Sequence, residues 1–150
     1  MANIKFTDPD SLEKYSFLWS EARLIIAAVA LFLGGVPPLK ALIPFDFVSG
    51  LIQSILTVCW IISGIVSVYL LYIWNQKGQT VFKGKDQKDL ASLAVMIASG
   101  INLGLVGLTG NNIGMSLSSN RGVFIATGLI YLFAANNLYT KWNKNGQKLF

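Results

Sequence analysis

The sequence predicts an all-α integral membrane protein: a four-helix transmembrane bundle with an amphipathic N-terminal helical lead-in. Three observations carry that reading. The 150 residues are 53% hydrophobic and only 13% charged, about half the charge of an ordinary soluble domain. Mean hydropathy is +0.56, which also excludes a disordered chain, because disorder goes with polarity and high charge. The charges are gathered into short runs that separate long charge-free stretches. A chain of this length is read as a single domain, 1–150.

Residues 8–23 are predicted to form the lead-in. Asp8 suits an N-cap, Pro9 the first helical position, and Asp10 places negative charge in the first turn. Asp10 and Lys14 are spaced for an i,i+4 pair. Leu12, Tyr15, Leu18, Trp19 and Ala22 share one broad side, which suits contact with a membrane interface or a partner. Asp8, Asp10, Glu13 and Glu21 give this segment the wrong character for a secretory leader, which starts basic.

A membrane-crossing helix needs about 20 mostly apolar residues, because the hydrocarbon is roughly 30 Å thick. Four charge-free stretches, Leu24–Leu39, Phe47–Gln76, Leu90–Asn120 and Gly122–Thr140, place crossings at about 24–43, 48–74, 89–109 and 122–140. The first holds Pro37-Pro38, where a kink or break is expected because proline lacks an amide donor and clashes with the preceding turn. The third stops near Thr109, since Gly110-Asn111-Asn112 reads as a turn.

Four crossings put both ends and the middle loop on one side. That side carries ten of the twelve basic residues (Lys5, Lys14, Arg23, Lys77, Lys83, Lys85, Lys88, Lys141, Lys144, Lys148), leaving Lys40 and Arg121 opposite. Basic loops are retained in the cytoplasm. The expected location is therefore a prokaryotic plasma (inner) membrane with both termini cytoplasmic. Tyr69, Tyr72, Trp74, Tyr139 and Trp142 fall on the same side and fit an interfacial aromatic belt.

Within lipid, helices associate where small residues allow close backbone approach. The second crossing carries Gly50, Ser54, Thr57 and Gly64 in one stripe. The third carries Gly100, Gly104, Gly107 and Asn111 on one side, with Ala91, Ala94, Ala98, Asn102 and Thr109 opposite. Two opposed small faces predict a helix packed on both sides, by its own chain or by a neighbouring subunit. Lys77, Lys83, Lys85, Lys88, Lys141 and Lys144 are expected to meet anionic lipid head groups.

Chemistry is sparse. With no histidine and one cysteine, triads and the usual zinc sites are out of reach, and neither a metal nor a cofactor is expected. Cys59 reads as a small buried hydrophobe. No phosphate-loop motif is present, and the lysines of 76–89, interleaved with Asp86 and Asp89, make a poor nucleic-acid surface. No ionisable group lies within the second, third or fourth apolar core, which argues against a proton relay. The expectation is a non-enzymatic structural or assembly subunit. Its partners would be lipids and either copies of itself or other membrane subunits. The alternative is a small oligomeric channel or facilitator with an uncharged polar lining, for which Gln53, Thr57, Ser99 and Asn102 are candidates.

Overall fold

A computed structural model describes residues 8–43 and 46–150, with 46 and 47 described by their backbone alone. Its elements are helices: α1 (Pro9–Phe32), α2 (Pro38–Leu42), α3 (Asp46–Gln76), α4 (Gln87–Thr109), α5 (Ile113–Leu117) and α6 (Arg121–Lys144). One isolated antiparallel bridge, Val81 to Gly84, ties the α3–α4 loop. Four of the helices are long and apolar enough to cross a membrane: Pro9–Phe32, Val48–Gln76, Gln87–Thr109 and Arg121–Lys144.

The start of the chain differs from expectation. The lead-in and the first apolar segment form one continuous helix of 24 residues, about 36 Å long at a rise of about 1.5 Å per residue. It does not reach residue 43. Gly34 and Gly35 take φ of +79° and +87°, a conformation open to glycine at no steric cost. The Gly35 amide donates back to the Ala30 carbonyl at 2.8 Å, closing the helix end. Pro37 and Pro38 then set the turn into α2.

The other ends follow local rules. Asp86, Asn112 and Asn120 each accept a backbone amide with their side chains at the starts of α4, α5 and α6, satisfying donors that a first turn leaves unpaired. Gly110, at φ +75°, ends α4.

The four long helices alternate in direction. α3 and α4 make the tightest pair, because glycine lets their backbones meet. A Cβ placed on Gly104 would sit 2.6 Å from the Gly64 Cα, and one on Gly107 would sit 3.1 Å from the Thr57 carbonyl oxygen. α1 lies antiparallel to α6: the Phe17 and Trp142 rings are 5.1 Å apart near one end, and Gly128 receives the Phe32 ring near the other. Phe17, Leu24, Leu70, Leu93, Met96 and Leu138 fill the centre, each fully buried or nearly so.

The C-terminal segment closes one end of the bundle. A single Glu13 carboxylate oxygen, Oε1, accepts the amides of Leu149 (2.8 Å) and Phe150 (3.2 Å). The Leu149 side chain is fully buried, and its carbonyl accepts the Phe82 amide. Lys14 donates to Gln147 and Lys148 pairs with Asp10. The expected Asp10–Lys14 pair along the helix is thus replaced by contacts to this segment. At the opposite end Arg121 donates to the Phe32 carbonyl.

Gly104→Ala should therefore cost about 1–3 kcal/mol, because the new methyl meets backbone that cannot rotate away. Gly50→Ala, with nothing within 4 Å of its added carbon, should leave stability unchanged or raise it through helix propensity. Unfolding of the two variants in mixed micelles checks the contrast. Equal losses would contradict the packing.

Candidate functional site

The expected apolar side of the first helix faces outward: Leu12, Tyr15, Trp19 and Ala22 are exposed. The opposite side, Ser16, Phe17, Ser20, Glu21, Arg23 and Leu24, is buried. The polar side of α1 therefore faces the bundle interior. Sequence reasoning placed Arg23 in a loop and no ionisable group at depth, because it began the first crossing at the first charge-free residue. With α1 starting at Pro9, Glu21 and Arg23 fall near mid-helix instead.

Arg23 is 6% exposed and reaches across to α4. Its Nη1 donates to the Ser99 hydroxyl at 2.8 Å and its Nη2 to the Met96 carbonyl at 2.7 Å. The Ser99 hydroxyl donates to the same Met96 carbonyl at 2.9 Å. Gly100 makes room for this: a Cβ there would lie 3.0 Å from the Arg23 guanidinium carbon and would overlap the Ser67 hydroxyl of α3. Tyr131 of α6 contributes to the electrostatics around Arg23. One cation thus links α1 to α4, with α3 and α6 alongside.

Around it lie polar atoms without hydrogen-bond partners. Ser20 Oγ, Glu21 Oε1, Arg23 Nε and Ser67 Oγ are all buried and unpaired. Unpaired buried donors and acceptors are costly and uncommon in native proteins. Four around one mid-bundle cluster distinguish this region from the rest of the core. Trp19 Nε1 donates to Ser63 of α3 at 3.1 Å, adding a second α1–α3 tie.

A second polar node sits at the end where the termini meet. Asp89, 2% exposed, accepts Asn137 Nδ2 at 2.9 Å and Lys141 Nζ at 2.7 Å. Asn137 also donates to Ser92, and Lys141 reaches Asp86 at 3.1 Å. The Lys88 amide, and then the Lys141 ammonium, hold the Asp86 carboxyl below the usual carboxylate range. Lys141 is thus committed to two aspartates as well as lying among the lysines expected to contact lipid. Lys88 sits 4.9 Å over the Phe133 ring. Lys77, Lys83, Lys85 and Lys144 are exposed.

The small-residue positions divide. Gly64, Gly100, Gly104, Gly107 and the Thr57 carbonyl lie in the α3–α4 seam. Gly50, Ser54 and Ala98 are on the surface instead, and so are Ala91 and Ala94. The expected second packed face of α4 is therefore not covered by this chain. The polar candidates do not converge. Ser99 holds Arg23, while Asn102 fastens the next loop by donating to Asn112 and accepting the Ile113 amide. The Thr57 hydroxyl donates to its own helix at the Gln53 carbonyl, and the exposed Gln53 reaches that hydroxyl. Among the described residues no group of three or more His, Cys, Asp or Glu side chains is placed to hold a metal.

The chain matches no protein family, no curated protein and no solved structure. Function must be argued from the geometry.

If Arg23 pins α1 to α4, its loss and that of Ser99 should be coupled. A double-mutant cycle with Arg23→Gln and Ser99→Ala should show an interaction of about 1 kcal/mol or more in unfolding free energy. Additivity would remove the pin.

Proposed function

We propose that this chain is a non-enzymatic integral membrane subunit that assembles, through small-residue helix faces, with copies of itself or with other membrane subunits. Insertion is supported by the perimeter. Ile25, Ile26, Leu51, Ile65, Val68, Leu129 and Phe133 are among the large apolar side chains left exposed along the long helices, a surface that suits hydrocarbon better than water. The terminal end gains support as the cytoplasmic one from its lysines. With Arg23 withdrawn to the interior, nine basic residues remain there against Lys40 and Arg121 opposite; Lys5 among the nine lies outside the described residues.

The observation that carries the assembly reading is the open alanine face of α4. Ala91, Ala94 and Ala98 are exposed on the same helix whose glycine face is already occupied by α3. In lipid, where apolar burial gives no gain, such a flat surface favours helix contact through close approach. The channel reading receives less support, since Gln53, Thr57, Ser99 and Asn102 have separate surroundings and Phe17, Leu70 and Met96 fill the core.

The test is assembly size in lipid nanodiscs or native membranes, read by photobleaching steps. The wild-type chain should form a multimer, and Ala94→Phe with Ala98→Phe should reduce its size with helicity unchanged. A wild type that remains single, or a variant of unaltered size, would contradict this reading.

A further inference from the structure

The buried Glu21–Arg23 pair goes beyond assembly, and its argument is independent of that reading. The two residues share α1 and influence one another electrostatically, yet they do not form an ion pair within salt-bridge distance. Arg23 is turned to α4, where its two Nη atoms are used by Ser99 and the Met96 carbonyl. Glu21, 5% exposed, keeps Oε1 buried with no hydrogen-bond partner. No other formal charge is positioned to balance it. Residues 48–76 of α3, 90–109 of α4 and 122–140 of α6 contain no Asp, Glu, Lys or Arg. What these helices contribute around the pair is hydroxyls, the Met96 carbonyl and Tyr131. α2 carries only Lys40, which is exposed.

A carboxylate without a counter-charge in such a place is far more costly than a carboxylic acid, so burial favours neutralisation by a proton. A guanidinium cannot neutralise itself in this way, because it keeps its charge under all ordinary conditions. It needs acceptors. Two arrangements satisfy both groups. In one, Glu21 is the neutral acid and Arg23 is held by Ser99 and Met96. In the other, Glu21 is ionised and Arg23 has left α4 to pair with it. The geometry seen here is the first.

We propose that Glu21 is a proton-binding site inside the bundle, and that proton release switches Arg23 from α4 to Glu21. Release breaks the O–H bond of the Glu21 carboxyl and returns the proton to water or a buffer base, leaving a carboxylate. Arg23 then gives up its bonds to the Met96 carbonyl and the Ser99 hydroxyl, and the pin between α1 and α4 opens. Uptake re-forms the O–H bond and restores the pin. An ionisable residue at such depth is retained for function more often than for stability. Here the function would be to make α1–α4 contact depend on pH.

The sequence makes the test clean, because Glu13 and Glu21 are the only glutamates. The full chain is labelled at glutamate Cδ with carbon-13, placed in lipid vesicles and followed by NMR as pH is stepped, with Glu13→Gln assigning the two resonances. At pH 7 the Glu21 signal should lie at the carboxylic-acid position and move to the carboxylate position on alkalinisation. Ser99→Ala weakens the α4 alternative for Arg23, so it should shift the midpoint to lower pH. A Glu21 signal already at the carboxylate position at pH 7 would overturn the proposal. So would a midpoint that Ser99→Ala does not move, which would leave Glu21 as a titrating group unconnected to the pin. Both readings come from chains that keep Glu21 and Arg23 intact.

Discussion

The contact between the backbones of α3 and α4 at Gly64 and Gly104 sets the spacing on which the rest of this bundle depends. With no side chain between them, the two helices approach closely, and the approach continues to Ser67 beside Gly100. That end of the seam is where the Arg23 guanidinium lies. A wider α3–α4 pair would move the Met96 carbonyl and Ser99 away from the surroundings that position Arg23. The glycine seam and the buried cation are therefore one design: the first creates the place that the second occupies.

The bundle has its polarity turned inward. Ser16, Ser20, Glu21, Arg23, Ser63, Ser67, Asp89, Ser92, Ser99 and Asn137 are buried, while isoleucines, leucines and valines cover the outside. Water would reverse this arrangement; hydrocarbon favours it, because a polar group facing lipid has no partner to turn to. Most of the inward groups find partners across helices or within their own helix. The cluster of unpaired atoms beside Glu21 is the exception, and exceptions to polar satisfaction concentrate where a protein does something besides hold its shape.

Much of the architecture is legible in the sequence. The charge-free stretches locate α3, α4 and α6 to within a few residues, because a long apolar helix announces itself by composition alone. The glycine spacing at 100, 104 and 107 marks the face of α4 that meets α3, since no other residue permits that approach. α1 was misplaced because its polar residues were taken to mark water. Glu21 and Arg23 look like the end of a solvated lead-in until the other helices are present to enclose them, and enclosure is a tertiary fact. The same reason hides the roles of Asn102, which fastens a loop ten residues away, and of Asp10 and Lys14, which turn from each other to the C-terminal segment. The alanine face shows the converse: sequence sees two small sides on α4 but not which one the chain itself covers.

The central claim is that α1 crosses as one helix with the Glu21–Arg23 pair deep inside. Ala22 lies between them in sequence and points outward, so a spin label at this position, with Cys59 replaced, reads the depth directly. Collision with oxygen and with a water-soluble nickel complex should place residue 22 well within the hydrocarbon. A label at the head-group level, as a crossing that starts at residue 24 would require, would contradict the account.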